Sequence, residues 1–284
     1  MTFWNTWTFD PFTLAGLLVL IALYTRGLWR SRGRSGDLFP WWRPTAFYTG
    51  WSALLLGAVS PVDGLSDDLF LMHMIQHMLM MMVGPPLILV GAPVVPALRG
   101  LPRILRDDLA IPLLQMRRVR KALNFLASPL TAWLVFVFTV WIWHIPALYN
   151  EAVTNEALHF LQHMMFVSAA VFFWWTAIDP VPLKPRLSYA LRLLYLFLAT
   201  LQSTALAAII TLSEDVLYTY YLGVPRLWGL TPGEDQMIAG LIMWIPGAGI
   251  YFTVLTILFF VMLHRDDQRM RRLEGRAVSG PRRW

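Results

Sequence analysis

Seven apolar runs, each long enough to cross about 30 Å of hydrocarbon, constrain this chain more than any other feature. They lie near residues 11–29, 44–60, 68–90, 129–148, 156–178, 187–212 and 235–262. A segment in lipid must satisfy its own backbone hydrogen bonds, so such runs fold as helices. Only 14% of the 284 residues are charged, against about 25% in a soluble domain. The expectation is an all-α integral membrane protein. It has one domain over residues 1–264, a bundle of seven transmembrane helices, and a basic cytoplasmic tail over 265–284. Met1 to Asp10 carries no Lys or Arg, and no small-residue cleavage site follows. The first run therefore reads as a true span rather than a signal peptide.

Charge orients the bundle. Basic residues gather in alternate connections: Arg26, Arg30, Arg32, Arg34 and Arg43, then Arg99 to Lys121, then Lys184 and Arg186, then seven arginines beyond His264. The intervening segments are acidic, with Asp63, Asp67, Asp68, Glu151, Glu156, Glu214, Asp215, Glu234 and Asp235 against a lone Arg226. By the positive-inside rule the amino terminus is outside and the carboxyl terminus cytoplasmic. The net charge of +6 is thus a topology signal, and no nucleic-acid partner is implied. The mixed basic and apolar pattern over 94–128 predicts short helices lying on the cytoplasmic leaflet. The outer loop 213–234, with Tyr218, Tyr220, Tyr221 and Trp228, reads as an interfacial aromatic belt, with a lid as the alternative.

Absences narrow the chemistry. There is no cysteine, which removes thiolate metal sites, disulfides and a cysteine nucleophile together. The only lysines, Lys121 and Lys184, lie in connections, so no span offers a Schiff-base amine for retinal. No charged residue falls at the centre of a span, unlike the ionisable path of a proton pump or ion transporter. A soft-metal site in this chain must be built from His and Met.

Five of the six histidines fall in the spans. His73 and His77 are one helical turn apart on the third, His159 and His163 are similarly spaced on the fifth, and His144 lies near the end of the fourth. With the orientation above, all five share one layer of the outer leaflet. At about 100° per residue Met80 and Met81 fall near the His73 and His77 face. Imidazole with thioether is a ligand set that suits copper. Glu156, one turn before His159, and Asp235 and Gln236, at the start of the seventh run, are expected to orient ligands or draw a cation inward.

Several stretches carry a family resemblance. They are His73-Met-Ile-Gln-His77 with Gly84-Pro-Pro-Leu-Ile-Leu-Val-Gly-Ala-Pro93, Trp143-His144-Ile-Pro-Ala-Leu-Tyr149, and His159 with His163 before Phe172-Phe-Trp-Trp175. The last is Asp235-Gln236-Met-Ile-Ala-Gly240-Leu-Ile-Met-Trp244. Together, over about residues 40–262, they resemble the multi-span bacterial CtaG family of cytochrome c oxidase assembly factors. The resemblance implies seven spans in the bacterial plasma membrane and a role in maturing haem-copper oxidases. It also implies delivery of copper to an oxidase subunit, from a periplasmic or extracellular donor.

Three readings of the histidines follow. In the first, a non-enzymatic assembly factor holds copper, as Cu(I), at His73, His77, His159 and His163, with His144 joining them or holding a second site, and with Met80 and Met81 beside them. In the second, two of the histidines ligate haem b for electron transfer or haem handling. In the third, a di-metal membrane enzyme uses Glu156 as a base.

Overall fold

The computed structural model describes residues 7, 10–31, 39–178, 180 and 186–278. Arg32, Arg34, Lys184, Arg282 and Arg283, counted above in the charge pattern, lie outside them. The described residues are mostly helical, with no strand among them.

The first helices are α1 (Pro11–Ser31), α2 (Trp42–Ala58) and the short α3 (Pro61–Ser66). The Asp10 carboxylate accepts the Thr13 N–H at 2.7 Å, with Pro11 in the first turn. Ser60 accepts the Val62 N–H at 3.0 Å to start α3, ahead of Pro61. Both are ordinary helix starts, a side-chain oxygen over orphan N–H groups and a proline where no donor is needed. Next come α4 (Phe70–Met78), a π-helical turn (Leu79–Val83) and α5 (Gly84–Val90), which together form one helix, Phe70–Val90. The amphipathic connection forms α6 (Val94–Gly100), a second π-helical turn (Leu105–Ala110), α7 (Ile111–Gln115) and α8 (Arg117–Leu126). These are the short helices that its composition predicts.

The remaining elements are α9 (Pro129–Trp143), α10 (Pro146–Thr154), α11 (Glu156–Ile178), α12 (Tyr189–Leu212) and α13 (Pro232–Val278). The fourth apolar run ends at Trp143 rather than 148, because Pro146 pushes Ile145 to extended backbone and starts a new helix. The seventh runs well past 262, straight through most of the expected tail. Charges there face solvent at helical spacing, as in the Arg271–Asp267 ion pair at 3.0 Å.

Among the described residues, five helices are long and apolar enough to cross a membrane: Pro11–Ser31, Phe70–Val90, Glu156–Ile178, Tyr189–Leu212 and Pro232–Glu274. The pair α8 and α9, bent by 64°, makes a sixth if counted as one span. At 17 residues α2, which occupies the second expected run, is shorter than these.

Packing divides the bundle into two parts. Around α4, α9, α11, α12 and α13 lies the main core, with Phe136 stacked on Phe173 at 4.2 Å and Phe173 on Tyr195 at 4.8 Å. A smaller core joins α1 and α2 to the π turn and α5 through Tyr24, Phe47, Leu54, Met80 and Ile88. There α1 lies directly on α6. A side chain at Gly27 would meet the Pro96 carbonyl, and one at Gly100 would meet that of Leu23, so only glycine allows the approach.

The middle of the Phe70–Val90 helix is where sequence and fold adjust to each other. Pro85 has no N–H, so the Met81 carbonyl one turn earlier loses its helical partner. The Trp174 indole N–H from α11 takes that place at 2.9 Å. The two prolines do not end the helix, because the π turn before them absorbs the conflict.

A candidate metal centre of converging histidines

The α4 helix is fixed at its start by a residue far away in the chain. Both oxygens of Asp235, in the first turn of α13, accept backbone N–H groups of α4, from Phe70 at 2.8 Å and Leu71 at 2.9 Å. His73 follows within one turn and is fully buried, and His77 is 5% exposed. Opposite them α11 begins at Asn155, whose side chain accepts the N–H groups of Ala157 and Leu158 at 3.0 and 3.2 Å. That start sets the heights of His159 and His163.

All five predicted histidines converge. Ring centroids are 4.3 Å apart for His73 and His77, 4.2 Å for His159 and His163, and 5.3 Å for His73 and His159. His77 lies 5.6 Å from His163 and 6.4 Å from His144. Within this group the tightest set is His73, His159 and His163, whose ligand nitrogens all lie within 4.8 Å of one another.

Hydrogen bonding leaves the ligand atoms free. His144 directs Nδ1 at the Val140 carbonyl, 2.6 Å away, so Nδ1 carries the proton and Nε2 a lone pair. The Tyr221 hydroxyl donates to the Ser66 carbonyl at 2.9 Å, which turns its lone pairs toward the Tyr149 hydroxyl at 2.9 Å and His73 Nδ1 at 3.5 Å. Nε2 of His73, His144, His159 and His163, and both ring nitrogens of His77, are buried without a hydrogen-bond partner. Orphaned nitrogens are costly in an apolar interior unless something accepts or coordinates them. A ring of imidazole lone pairs fits a metal cation, and neutral imidazole with one nitrogen held by an oxygen acceptor is the usual form of such a ligand.

The other expected residues take different places. Met81 lines a cavity with His77 and His144. Met80 instead packs in the smaller core, with its Cγ 2.9 Å from where a side chain at Gly57 would begin. The π turn explains the exchange. Its residues advance by less than 100° each, which carries Met81 onto the His77 face and Met80 off it. Glu156 is exposed at the start of α11, and the histidine cluster contains no carboxylate. Asp235 acts through the α4 backbone, and Gln236 holds the loop between α12 and α13 by accepting from Leu217 N–H at 2.7 Å and donating to the Asp215 carbonyl at 3.0 Å.

That loop is a cover. Tyr218 and Tyr221 are buried at 1% and 2% exposure and pack on Phe70 and Tyr149. Trp228 alone stands out at 64%. Composition cannot separate a belt from a lid, and burial of the tyrosine hydroxyls on Ser66 and His144 carbonyls makes it a lid.

Two more buried polar residues share the histidines' helices, and their spacing is legible in the sequence. The pattern His-x-x-Gln-His occurs twice, as His73 to His77 and His159 to His163. Gln76 and Gln162 are both fully buried. Gln76 donates to the Asp63 carboxylate, while its Oε1 and both amide atoms of Gln162 have no partner.

Comparison with known proteins bears on the lineage of the chain. The chain is similar to an uncharacterized protein of Mycobacterium leprae (strain TN), 28% identical over 98% of this chain and 42% of the relative. It is also similar to uncharacterized proteins of Mycobacterium bovis and Mycobacterium tuberculosis, each 31% identical over 84% of this chain and 37% of the relative. The chain thus spans less than half the length of these curated relatives. No solved structure gives a significant match. The family model for the cytochrome c oxidase caa3 assembly factor matches residues 22–265, and the chain belongs to that family, Caa3_CtaG.

Proposed function

We propose that this protein binds copper at the buried histidine cluster and passes it to a subunit of a haem-copper oxidase during assembly. The observation that carries this reading is the convergence of five histidines from three segments, with Nε2 of four and both nitrogens of the fifth left without partners. His73, His159 and His163 hold the ion. His77 and His144 lie beside them as exchange ligands, which a carrier needs in order to release its metal. Neutral imidazoles suit copper, and the neighbouring thioether of Met81 favours Cu(I). No enzymatic step is required.

In the same reading α2 and α9 complete a seven-span bundle with the five longer helices. The alternation of basic and acidic connections puts the site on the periplasmic or extracellular side of a bacterial plasma membrane. A copper donor then approaches from that side, over the 213–231 cover. Rings 4.2 to 5.3 Å apart leave little room for a macrocycle among them, and the lack of a carboxylate in the cluster removes the base that a di-metal hydrolase or oxygenase would use.

The test is elemental analysis of detergent-purified protein for copper, zinc and iron, with a visible spectrum of the same sample. Copper that is retained by the native chain and reduced in His159→Ala/His163→Ala supports the proposal. Iron with a Soret band moves the assignment to haem b. Copper binding unchanged in the double variant overturns the site.

A further inference from the structure

The five histidines fall into two groups, and only one of them is the triad. Beside the triad lies a partly open cavity, with an empty volume of about 470 Å³ counting its mouth. His77 and His144 line it, and none of the triad does. The rest of its wall is unusual. Met74, Met78, Met81 and Met82 come from the α4 helix and its π turn, and Met243 faces them from α13. Five of the chain's 14 methionines thus surround one small space.

We propose that this cavity is a second metal station, selective for a soft monovalent cation such as Cu(I), that exchanges its ion with the triad through His77. The proposal rests on the copper reading of the triad and adds a site of different chemistry to it.

Three observations support it. First, the imidazole nitrogens that the cavity's histidines leave without partners are both of His77 and Nε2 of His144, while the Ser203 hydroxyl on the same wall accepts from the Gln202 amide at 2.7 Å. Water is a poor occupant, since thioethers are weak acceptors and would surround it on most sides. A soft cation suits both kinds of atom, coordinating imidazole and thioether alike. Second, methionine used only to fill gaps should leave none, whereas here an open space remains among five of them. The Met78 sulfur lies 3.9 Å from where a side chain at Gly247 would begin, so α13 approaches the cavity without filling it. Third, His77 is placed for transfer. Its ring is 4.3 Å from His73, 5.6 Å from His163 and 6.4 Å from His144, so one side chain adjoins both stations. Transfer is a ligand exchange, in which His77 bonds to the ion as a triad histidine releases it, with no change of oxidation state.

The test is X-ray absorption on the full chain in detergent, loaded with Ag(I) or with Cu(I) under a reductant. It compares the native chain, Met78→Leu/Met81→Leu/Met243→Leu and His159→Ala/His163→Ala. Leucine keeps the volume of methionine, so the first variant tests ligation rather than packing. The expected result is two ions per native chain with both nitrogen and sulfur scattering. The leucine variant should hold one ion with nitrogen scattering alone, and the histidine variant one ion with sulfur scattering retained. Native protein grown on selenomethionine should show scattering from selenium at the metal, a readout that needs no substitution. If the native chain binds metal with no sulfur or selenium scattering, or the leucine variant binds as much as the native chain, the second station is overturned while the triad stands. If the histidine variant loses both ions, the stations are not separate and the proposal fails. If the native chain binds neither ion, the copper reading of the triad fails with it.

Discussion

The carboxylate of Asp235 accepts the N–H groups of Phe70 and Leu71 at 2.8 and 2.9 Å, so the helix that carries His73 and His77 is capped from the first turn of α13. An anion at a helix start satisfies orphan donors and complements the helix dipole. The link also fixes the height of α4 against α13, and with it the two sides of the methionine-lined cavity. Asp235→Ala leaves two buried donors without an acceptor. The expected loss is about 1–3 kcal/mol of stability, read as a lower thermal midpoint in detergent, together with weaker copper retention. Asp235→Asn keeps one acceptor oxygen and should fall between the two. An unchanged midpoint in Asp235→Ala would sink the idea that this cap positions the histidine helix.

Tyr221 connects the cover to the site. Its hydroxyl donates to the Ser66 carbonyl and lies near Tyr149 and His73 Nδ1. Tyr221→Phe removes only that oxygen and leaves the ring packed on Phe70. The buried Ser66 carbonyl is then unpaired, and His73 is freer to change tautomer or turn. The expected effect is about 1–3 kcal/mol of stability and faster loss of bound copper to a chelator. Equal loss rates in the variant and the native chain would make Tyr221 a packing residue only.

Much of this arrangement is legible in the sequence, and what is not has identifiable causes. The five histidines are predicted by periodicity and depth alone, because helix rise and bilayer thickness leave few choices for where an i,i+4 pair can sit. Met80 departs from its expected face for a local reason, while Met81 stays beside His77. The expected angles assume a regular helix, and the π turn over Leu79–Val83 breaks that assumption within two residues. The signal was present in Pro85 and Pro86, which demand some adjustment upstream without saying which. The role of Asp235 needs tertiary contact, since nothing in its neighbourhood points to a helix that begins at Phe70. Gln76 and Gln162 are the opposite case, visible as a doubled motif once His-x-x-Gln-His is compared across the two helices.

Acid groups at the end of α3 give a pH dependence. Burial first, and then the carboxylates of Asp63 and Asp68, lift Asp67 from 3.8 to about 6, although the residue as a whole is exposed. A raised carboxyl binds its proton more tightly in the folded state than in the unfolded one. Stability from this group is therefore greatest below pH 3.8, falls as pH rises from 3.8 to about 6, and is lost above that. Asp67→Asn removes the penalty. It should raise the thermal midpoint at pH 7.5 by the equivalent of at most about 1 kcal/mol, given solvent screening of an exposed group. At pH 4 the gain should nearly vanish. A gain equal at both values would mean that Asp67 does not titrate in this window.

Trp174 is the partner that lets the histidine-bearing helix pass through two prolines. Its indole N–H bonds the Met81 carbonyl at 2.9 Å, the group that Pro85 leaves without a helical donor. Trp174 is also fully buried and stacks on Tyr251, which lines the methionine-rich cavity. Trp174→Phe therefore has two separable consequences. Stability falls by more than the lost indole volume explains, because a carbonyl in the bundle interior becomes unsatisfied, adding about 1–3 kcal/mol. The π turn, no longer held at Met81, is freer to rewind, and Met81 then turns off the His77 face. A melting curve measures the first consequence, and sulfur scattering from bound Ag(I) measures the second. Loss of stability with sulfur scattering intact would mean that Trp174 supports the fold without setting the register of the thioethers. Loss of both would tie the π turn before the prolines directly to the chemistry of the cavity.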